Sequence, residues 1–304
     1  AAALVMSALL TVSLVGCSGS GQDGNNDFME KGDGEHLVCA VTGKLIKIAP
    51  AILADQLVQH RQHKLNFGNI GRHIGLGVVM IIQRIKVCPA VHRHSYVSQG
   101  IPIYVFGGTI LDGSEFISTI SFNRDLKTAE DFRGLKIACQ REESGQIYLK
   151  AYLQDNGLEL GKDVEFEYVD NPTTALEGLR SGQCDLFIAN NAMGYTYSTS
   201  MDDIKVAGAP ADVTGDYPCC RQNCSDDAYH NKFQSLVDFE VALIRGYDYY
   251  LNNKEDVIKR MVDYSAQTPE YVEAALYGTD SYRNMMDLSP DPHTNEIVDY
   301  YKAM

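Results

Sequence analysis

Tryptophan is absent from this chain, and positive charge is scarce. With 26 Lys and Arg against 40 Asp and Glu, the formal charge is −14. Phosphate binding needs a basic surface, so nucleic acid is excluded as a partner. Aromatic walls must come from tyrosine, of which there are 18. A third absence is local. From Val58 to Ser98 there is no Asp or Glu, although the chain is otherwise acidic. Five of the eight histidines lie there, His60, His63, His73, His92 and His94. A Ser-His-Asp arrangement is therefore not indicated. What is present suffices for two domains of ordinary size: 304 residues, 45% of them hydrophobic.

The most regular stretch runs from Asp131 to Asn191 and reads strand, helix, strand, helix, strand. Leu135–Cys139 is short, apolar and β-prone. Gln146–Asn156 places Ile147, Leu149, Tyr152 and Leu153 at helical spacing, and Asn156-Gly157 stops it. Val164–Val169 alternates apolar with acidic residues. Asn171-Pro172 supplies a cap and a first-turn proline, Ala175, Leu176 and Leu179 share a helical face, and Ser181-Gly182 ends the helix. Asp185–Ala189 is the next apolar strand. Strands separated by helices of this length predict parallel pairing with crossover helices. Ligands in such sheets sit beyond the carboxyl ends of the strands. Gln140–Gly145, Asp170–Thr174 and Asn190–Tyr195 are thus expected around one crevice.

Asp131-Phe132-Arg133-Gly134-Leu135-Lys136-Ile137-Ala138 resembles the opening of a lobe in periplasmic-type solute-binding proteins. Val169-Asp170-Asn171-Pro172, then Ser181-Gly182-Gln183-Cys184-Asp185, resembles its continuation. The subgroup it is similar to is the nitrate/sulfonate/taurine type of ABC importer receptor, which shares a domain with thiamine-pyrimidine-precursor proteins. The resemblance spans about residues 100–280. It implies an α/β fold of two lobes, the type II periplasmic-binding-protein-like fold, each lobe a mixed sheet flanked by helices. It implies lobe one from 36–108 and 218–304, lobe two from 109–217, and no cofactor. The implied partners are a small-molecule ligand (sulfonate, nitrate, taurine or pyrimidine-like) and ABC permease subunits, with the receptor a monomer. The alternative is a metal-dependent enzyme similar to the thiamine-pyrimidine-precursor synthases. Those carry a longer cysteine run than Cys219, Cys220 and Cys224.

Elsewhere the chain is read in order. Ala1–Gly16 is small and apolar, too short to span a membrane, and resembles the core of a secretory signal. Leu14-Val15-Gly16-Cys17 resembles a lipobox, so residues 1–17 are expected to be a truncated signal and Cys17 to carry lipid at the extracytoplasmic face of the membrane. Residues 18–35 are a polar tether. Leu37–Val41 reads as a first strand, Thr42-Gly43 as its turn, and Pro50–Leu57 as a helix. The stretch 58–98 has three readings: a metal-binding or anion-binding insertion, ordinary surface, or a translation-frame error. The last is preferred because the resemblance implies a strand and an acidic turn here, and neither is visible. Ile101–Phe106 reads as a strand ended by a turn at Gly107-Gly108-Thr109. Val206–Cys220 is the expected return crossing between lobes. Phe233–Leu251, Lys254–Tyr264 and Thr268–Tyr277 read as helices, and Glu296–Ala303 as the start of another.

The candidate ligand contacts are Thr42, Gly43, Ser144, Gly145, Thr173, Thr174, Asn190, Asn191, Tyr195 and Cys219. Ser144 is read as the N-cap of a helix whose free N–H groups point into the crevice. Glu142 and Glu143, just before it, would offset the helix dipole and repel an anion. Asn190, Asn191 and Tyr195 can donate and accept, which suits a polar, uncharged ligand edge. Adjacent cysteines pair only with strain, so Cys224 or a distant thiol is the expected partner for Cys219 or Cys220. A metal site here would need His230 as its fourth ligand.

Overall fold

The computed structural model describes residues 41–42, 53, 78–79, 85–89, 103–141 and 143–291. Cys17, the tether, Gly43, the five histidines of the acid-free stretch and Glu296–Ala303 lie outside these residues.

The strands are β1 (Val41–Thr42), β2 (Val78–Val79), β3 (Ile85–Pro89), β4 (Ile103–Asp112), β5 (Ser114–Thr119), β6 (Lys136–Cys139), β7 (Glu165–Tyr168), β8 (Leu186–Asn190), β9 (Ile204–Gly208), β10 (Pro218–Ser225) and β11 (Met286–Asp287). The helices are α1 (Ser144–Asp155), α2 (Pro172–Ser181), α3 (Met193–Ser200), α4 (Ala211–Thr214), α5 (Asp226–Asn231), α6 (Phe233–Asn252), α7 (Lys254–Ser265) and α8 (Pro269–Tyr277).

One sheet has the order β7-β6-β8-β5-β9. β6 pairs in parallel with β7 and β8, whereas β5 is antiparallel to β8 and β9. The apolar runs follow from burial on both faces. Ile137, Cys139, Leu186, Ile188 and Phe116 face one cluster with Leu149 and Leu153 of α1. Ala138, Phe187, Ala189 and Ile117 face the other with Ala175, Leu176 and Leu179 of α2. Each fully buried Leu, Ile or Phe is worth roughly 1.5–3 kcal/mol. The caps follow the sequence. Asn171 accepts from Thr174 N at 3.0 Å, and Gly182 closes α2 at φ 72°.

The second sheet has the order β11-β4-β10-β3, with its described pairs all antiparallel. Its core joins Ile110, Cys220, Cys224, Leu236, Tyr250, Val257, Met261, Val272 and Leu276. β10 thus presents Cys220 and Cys224 inward, and Cys224 is a buried free thiol rather than a disulfide partner. Within the acid-free stretch β3 pairs with β10, and β2 with β1.

Gly107-Gly108 is not a turn. β4 runs straight through it, opposite Gln222 and Arg221 of β10. Glycine is there because of close approach. A Cβ on Gly107 would stand 2.0 Å from Gln222 Oε1 and 2.2 Å from Glu240 Oε1. The turn comes later, at Asp112 (φ 57°) and Gly113 (φ 90°), where the chain passes from one sheet to the other. Asp112 N donates to Tyr217 O at 2.8 Å, and Tyr217 N donates to Asp112 Oδ1 at 2.9 Å, so the outgoing and returning crossings are tied together.

Candidate functional site

β7, β6 and β8 are adjacent and parallel, so the loops after them leave one edge of the sheet. Those loops are 140–143, 169–171 and 191–192. Gln140 Nε2 reaches Asp170 O at 3.5 Å, joining the first to the second.

The first loop enters α1, and its cap is Glu143, not Ser144. Glu143 Oε2 accepts from Gln146 N at 2.9 Å, and its Oε1 accepts from Ser114 Oγ on β5. The longer Glu143 side chain reaches both the α1 N-terminus and Ser114 on β5, so it takes this place from the Ser144 hydroxyl. Ser144 sits one position inside, 3% exposed. Gly145 lies against the crossing: a Cβ there would stand 2.6 Å from Ser114 Oγ and 2.8 Å from the Tyr217 hydroxyl. Tyr217 is fully buried and stacks on Tyr148 at 4.8 Å. Burial pushes the Glu143 carboxyl up to about 7, against the pull of Ser114 and with a further push from Cys219.

The third loop carries Ala192 at φ 69° and enters α3. Its N–H groups are taken by Glu115, a wholly buried carboxylate on β5. Glu115 accepts from Ala192 N, from Gly194 N at 3.0 Å and from the Tyr282 hydroxyl. Burial raises Glu115 to about 7, while those three donors lower it. Gly194 is obligatory, since a Cβ would stand 2.0 Å from Glu115 Oε2.

The candidate residues separate into groups. Asn190 is exposed at the end of β8, and Thr173 and Thr174 are exposed in the first turn of α2. Tyr195 is half-buried, its ring 5.5 Å from Tyr282 and 6.3 Å from Tyr271. Asn191 has its side chain engaged between the sheets: Nδ2 donates to Ala275 O at 3.1 Å, and Oδ1 accepts from Met285 N at 2.8 Å. Ser144 and Gly145 are buried against the crossing. Cys219 begins β10, its sulfur 3.6 Å from that of Cys220. Thr42 lies in β1, paired with β2. His230 is on α5, 3.4 Å from Asp226. Among the described residues no group of three His, Cys, Asp or Glu side chains is placed to hold a metal.

Sequence reasoning missed Ser114, Glu115, Tyr217 and the segment Tyr282–Met285. That segment makes a third connection between the sheets. Gly113 N donates to Met285 O at 2.7 Å, and Arg283 pairs with Asp212 at 2.7 Å. A signal existed for Glu115, an acid just before Phe116-Ile117 in a stretch that reads as strand.

Residues 113–235 match the family described as ABC transporter, phosphonate, periplasmic substrate-binding protein. This part of the chain is similar to a periplasmic substrate-binding domain. The match begins at Gly113, on the crossing, and takes in the whole five-stranded sheet. The chain is similar in structure to the periplasmic aliphatic sulphonate-binding protein SsuA of Escherichia coli, with TM-score 0.60, 13% identity and coverage of 88% of this chain and 90% of that one. It is similar to the periplasmic nitrate-binding protein NrtA of Synechocystis PCC 6803, with TM-score 0.59, 12% identity and coverage of 88% and 81%. A third similar structure is the ligand-binding component of an ABC-type import system from Staphylococcus aureus, with TM-score 0.58, 12% identity and coverage of 86% and 91%. These likenesses establish the two-lobe periplasmic-binding-protein fold. No curated protein sequence matches the chain. In this fold the three loop ends lie at the edge of lobe two, beside the connections to lobe one. Among the described residues, no helix is long and apolar enough to cross a membrane.

Proposed function

We propose that this chain is the solute-binding component of an ABC importer. It captures a small molecule between two lobes and delivers it to the permease by hinge closure, with no bond made or broken. The observation that carries this reading is the convergence of the loops after β6, β7 and β8 on one edge, next to a hinge of three connections. These are Asp112–Gly113, Gly215–Tyr217 and Tyr282–Met285. Ligand contacts from both lobes stabilise the closed state and shift the population toward it. Of the expected lobes, 36–108 with 218–304 and 109–217, the first boundary moves to the crossing at Asp112–Gly113, because β4 runs unbroken through residue 108.

The exposed groups at that edge, Asn190, Thr173, Thr174 and the half-buried Tyr195, are the proposed contacts from lobe two. Ser144, Gly145, Asn191 and Cys219 act closer to the hinge, and Thr42-Gly43 contributes from lobe one. Cys17 carries the lipid that holds a monomeric receptor at the extracytoplasmic face of the membrane. No observation favours the synthase-like alternative.

A thermal-shift screen over sulfonates, nitrate, pyrimidines and polyamines tests the reading. A ligand at ~100-fold excess over its Kd adds about 2.7 kcal/mol. A solute that stabilises the protein and is recovered unchanged supports capture. Stoichiometric conversion of that solute, or no stabilisation by any compound class, overturns it.

A further inference from the structure

Free peptide N–H groups at a helix N-terminus, with their partial positive charge, are a ready oxyanion site. Lobe two aims two such termini from the carboxyl ends of β6 and β8. Each is already occupied from within the chain. Glu143 caps α1, and its other oxygen is held by Ser114. Glu115 caps α3 through Ala192 and Gly194, and is held by Tyr282 from the other lobe. An ordinary capping carboxylate stands in water and can be displaced. These are 5% and 0% exposed. Glycine at 194 lets α3 approach this wall closely, since a Cβ there would stand 2.0 Å from Glu115 Oε2 and 2.4 Å from Val206 Cγ2.

We infer that Glu115 and Glu143 are specificity-determining residues that exclude oxyanions from the lobe-two wall, so that the solute carries no oxyanion group there and is recognised by hydrogen bonds. This rests on the solute-binding reading and names the class of solute. The cations near the edge, Arg141 and Lys150, are directed onto Tyr168. The Arg141 guanidinium lies 4.3 Å from the centre of the Tyr168 ring, and Lys150 Nζ lies 4.5 Å from the same ring and donates to its hydroxyl at 2.8 Å. The exposed groups that remain, the Asn190 amide and the Thr173 and Thr174 hydroxyls, donate and accept without charge. An oxyanion about 5 Å from either ionised glutamate meets a repulsion worth on the order of 100-fold in affinity.

The test is calorimetric binding at pH 8 with nitrate, ethanesulfonate and methylphosphonate, and with uracil and cytosine as uncharged probes. The full chain is compared with Glu143→Gln and Glu115→Gln. The expected result is no wild-type oxyanion affinity tighter than that for an uncharged probe, with a gain of at least tenfold for an oxyanion in a glutamine variant. Micromolar oxyanion binding by the wild type overturns the inference while leaving solute capture standing. Unchanged oxyanion affinity in two folded variants also overturns it. Should a variant fail to fold, the wild-type ranking of oxyanions against uncharged probes decides alone. Failure of every probe to bind the folded wild type counts against both readings.

Discussion

Raising the pH from 5 to 8.5 should destabilise this protein, and two buried glutamates set the size of the effect. Glu115 and Glu143 each move from an ordinary value of 4.5 to about 7 in the fold, with burial as the leading cause. Between those values the folded state keeps protons that the unfolded chain has released. Stability is therefore full below 4.5 and is lost as pH rises through about 7. At about 1.36 kcal/mol per unit, the ceiling is roughly 3 kcal/mol for each carboxyl. Domains are stable by only about 5–15 kcal/mol, so the loss is large enough to move an unfolding midpoint well beyond error. The Asp112 and Glu240 carboxyls, raised by burial to about 7 and about 8, act in the same direction. Exposed carboxylates held low by partners, such as Asp203 beside Arg180 and Asp131 against the Lys127 and Thr128 backbone, act oppositely and in a lower window, as pH falls through their depressed values. Urea unfolding at half-unit pH steps reads the slope. The Glu115→Gln and Glu143→Gln variants separate these two groups from the general repulsion of an acidic chain, and each should flatten the curve. A midpoint that is level or rises from pH 5 to 8.5 would refute the reasoning.

Three substitutions extend it. Gly194→Ala places a methyl 2.0 Å from Glu115 Oε2 and 2.4 Å from Val206 Cγ2, and should cost about 3 kcal/mol or more by thermal unfolding. Tyr282→Phe removes the hydroxyl shared by Glu115 and Asn191, and should cost about 1–3 kcal/mol in denaturant while shifting the open-to-closed balance seen by scattering. Arg283→Ala breaks a half-exposed pair with Asp212, and its stability cost should stay below about 1 kcal/mol.

Much of this fold was legible because its elements are locally determined. Asn171-Pro172 and Gly182 bound α2, Thr268 and Pro269 open α8, and burial on both faces makes β6 and β8 continuous apolar runs. The misreadings share one origin, since each concerns a residue whose role is set by a distant neighbour. Gly107 looks like a turn until Gln222 and Glu240 are brought against it. Ser144 looks like a cap until Ser114, far away in sequence, holds Glu143 in that place. The partners of the Asn191 amide, Ala275 and Met285, are likewise distant in sequence. The hinge itself is non-local throughout. In the sequence the return crossing was expected within Val206–Cys220, and Asp112-Gly113, a turn dipeptide between two apolar runs, marks the outgoing one.

The most direct test of solute capture is small-angle scattering of the purified chain before and after saturation with a solute that stabilises it. Closure of the two lobes about the hinge predicts a smaller radius of gyration, with the solute recovered chemically intact. An unchanged radius at saturation, or a solute returned as product, would contradict it.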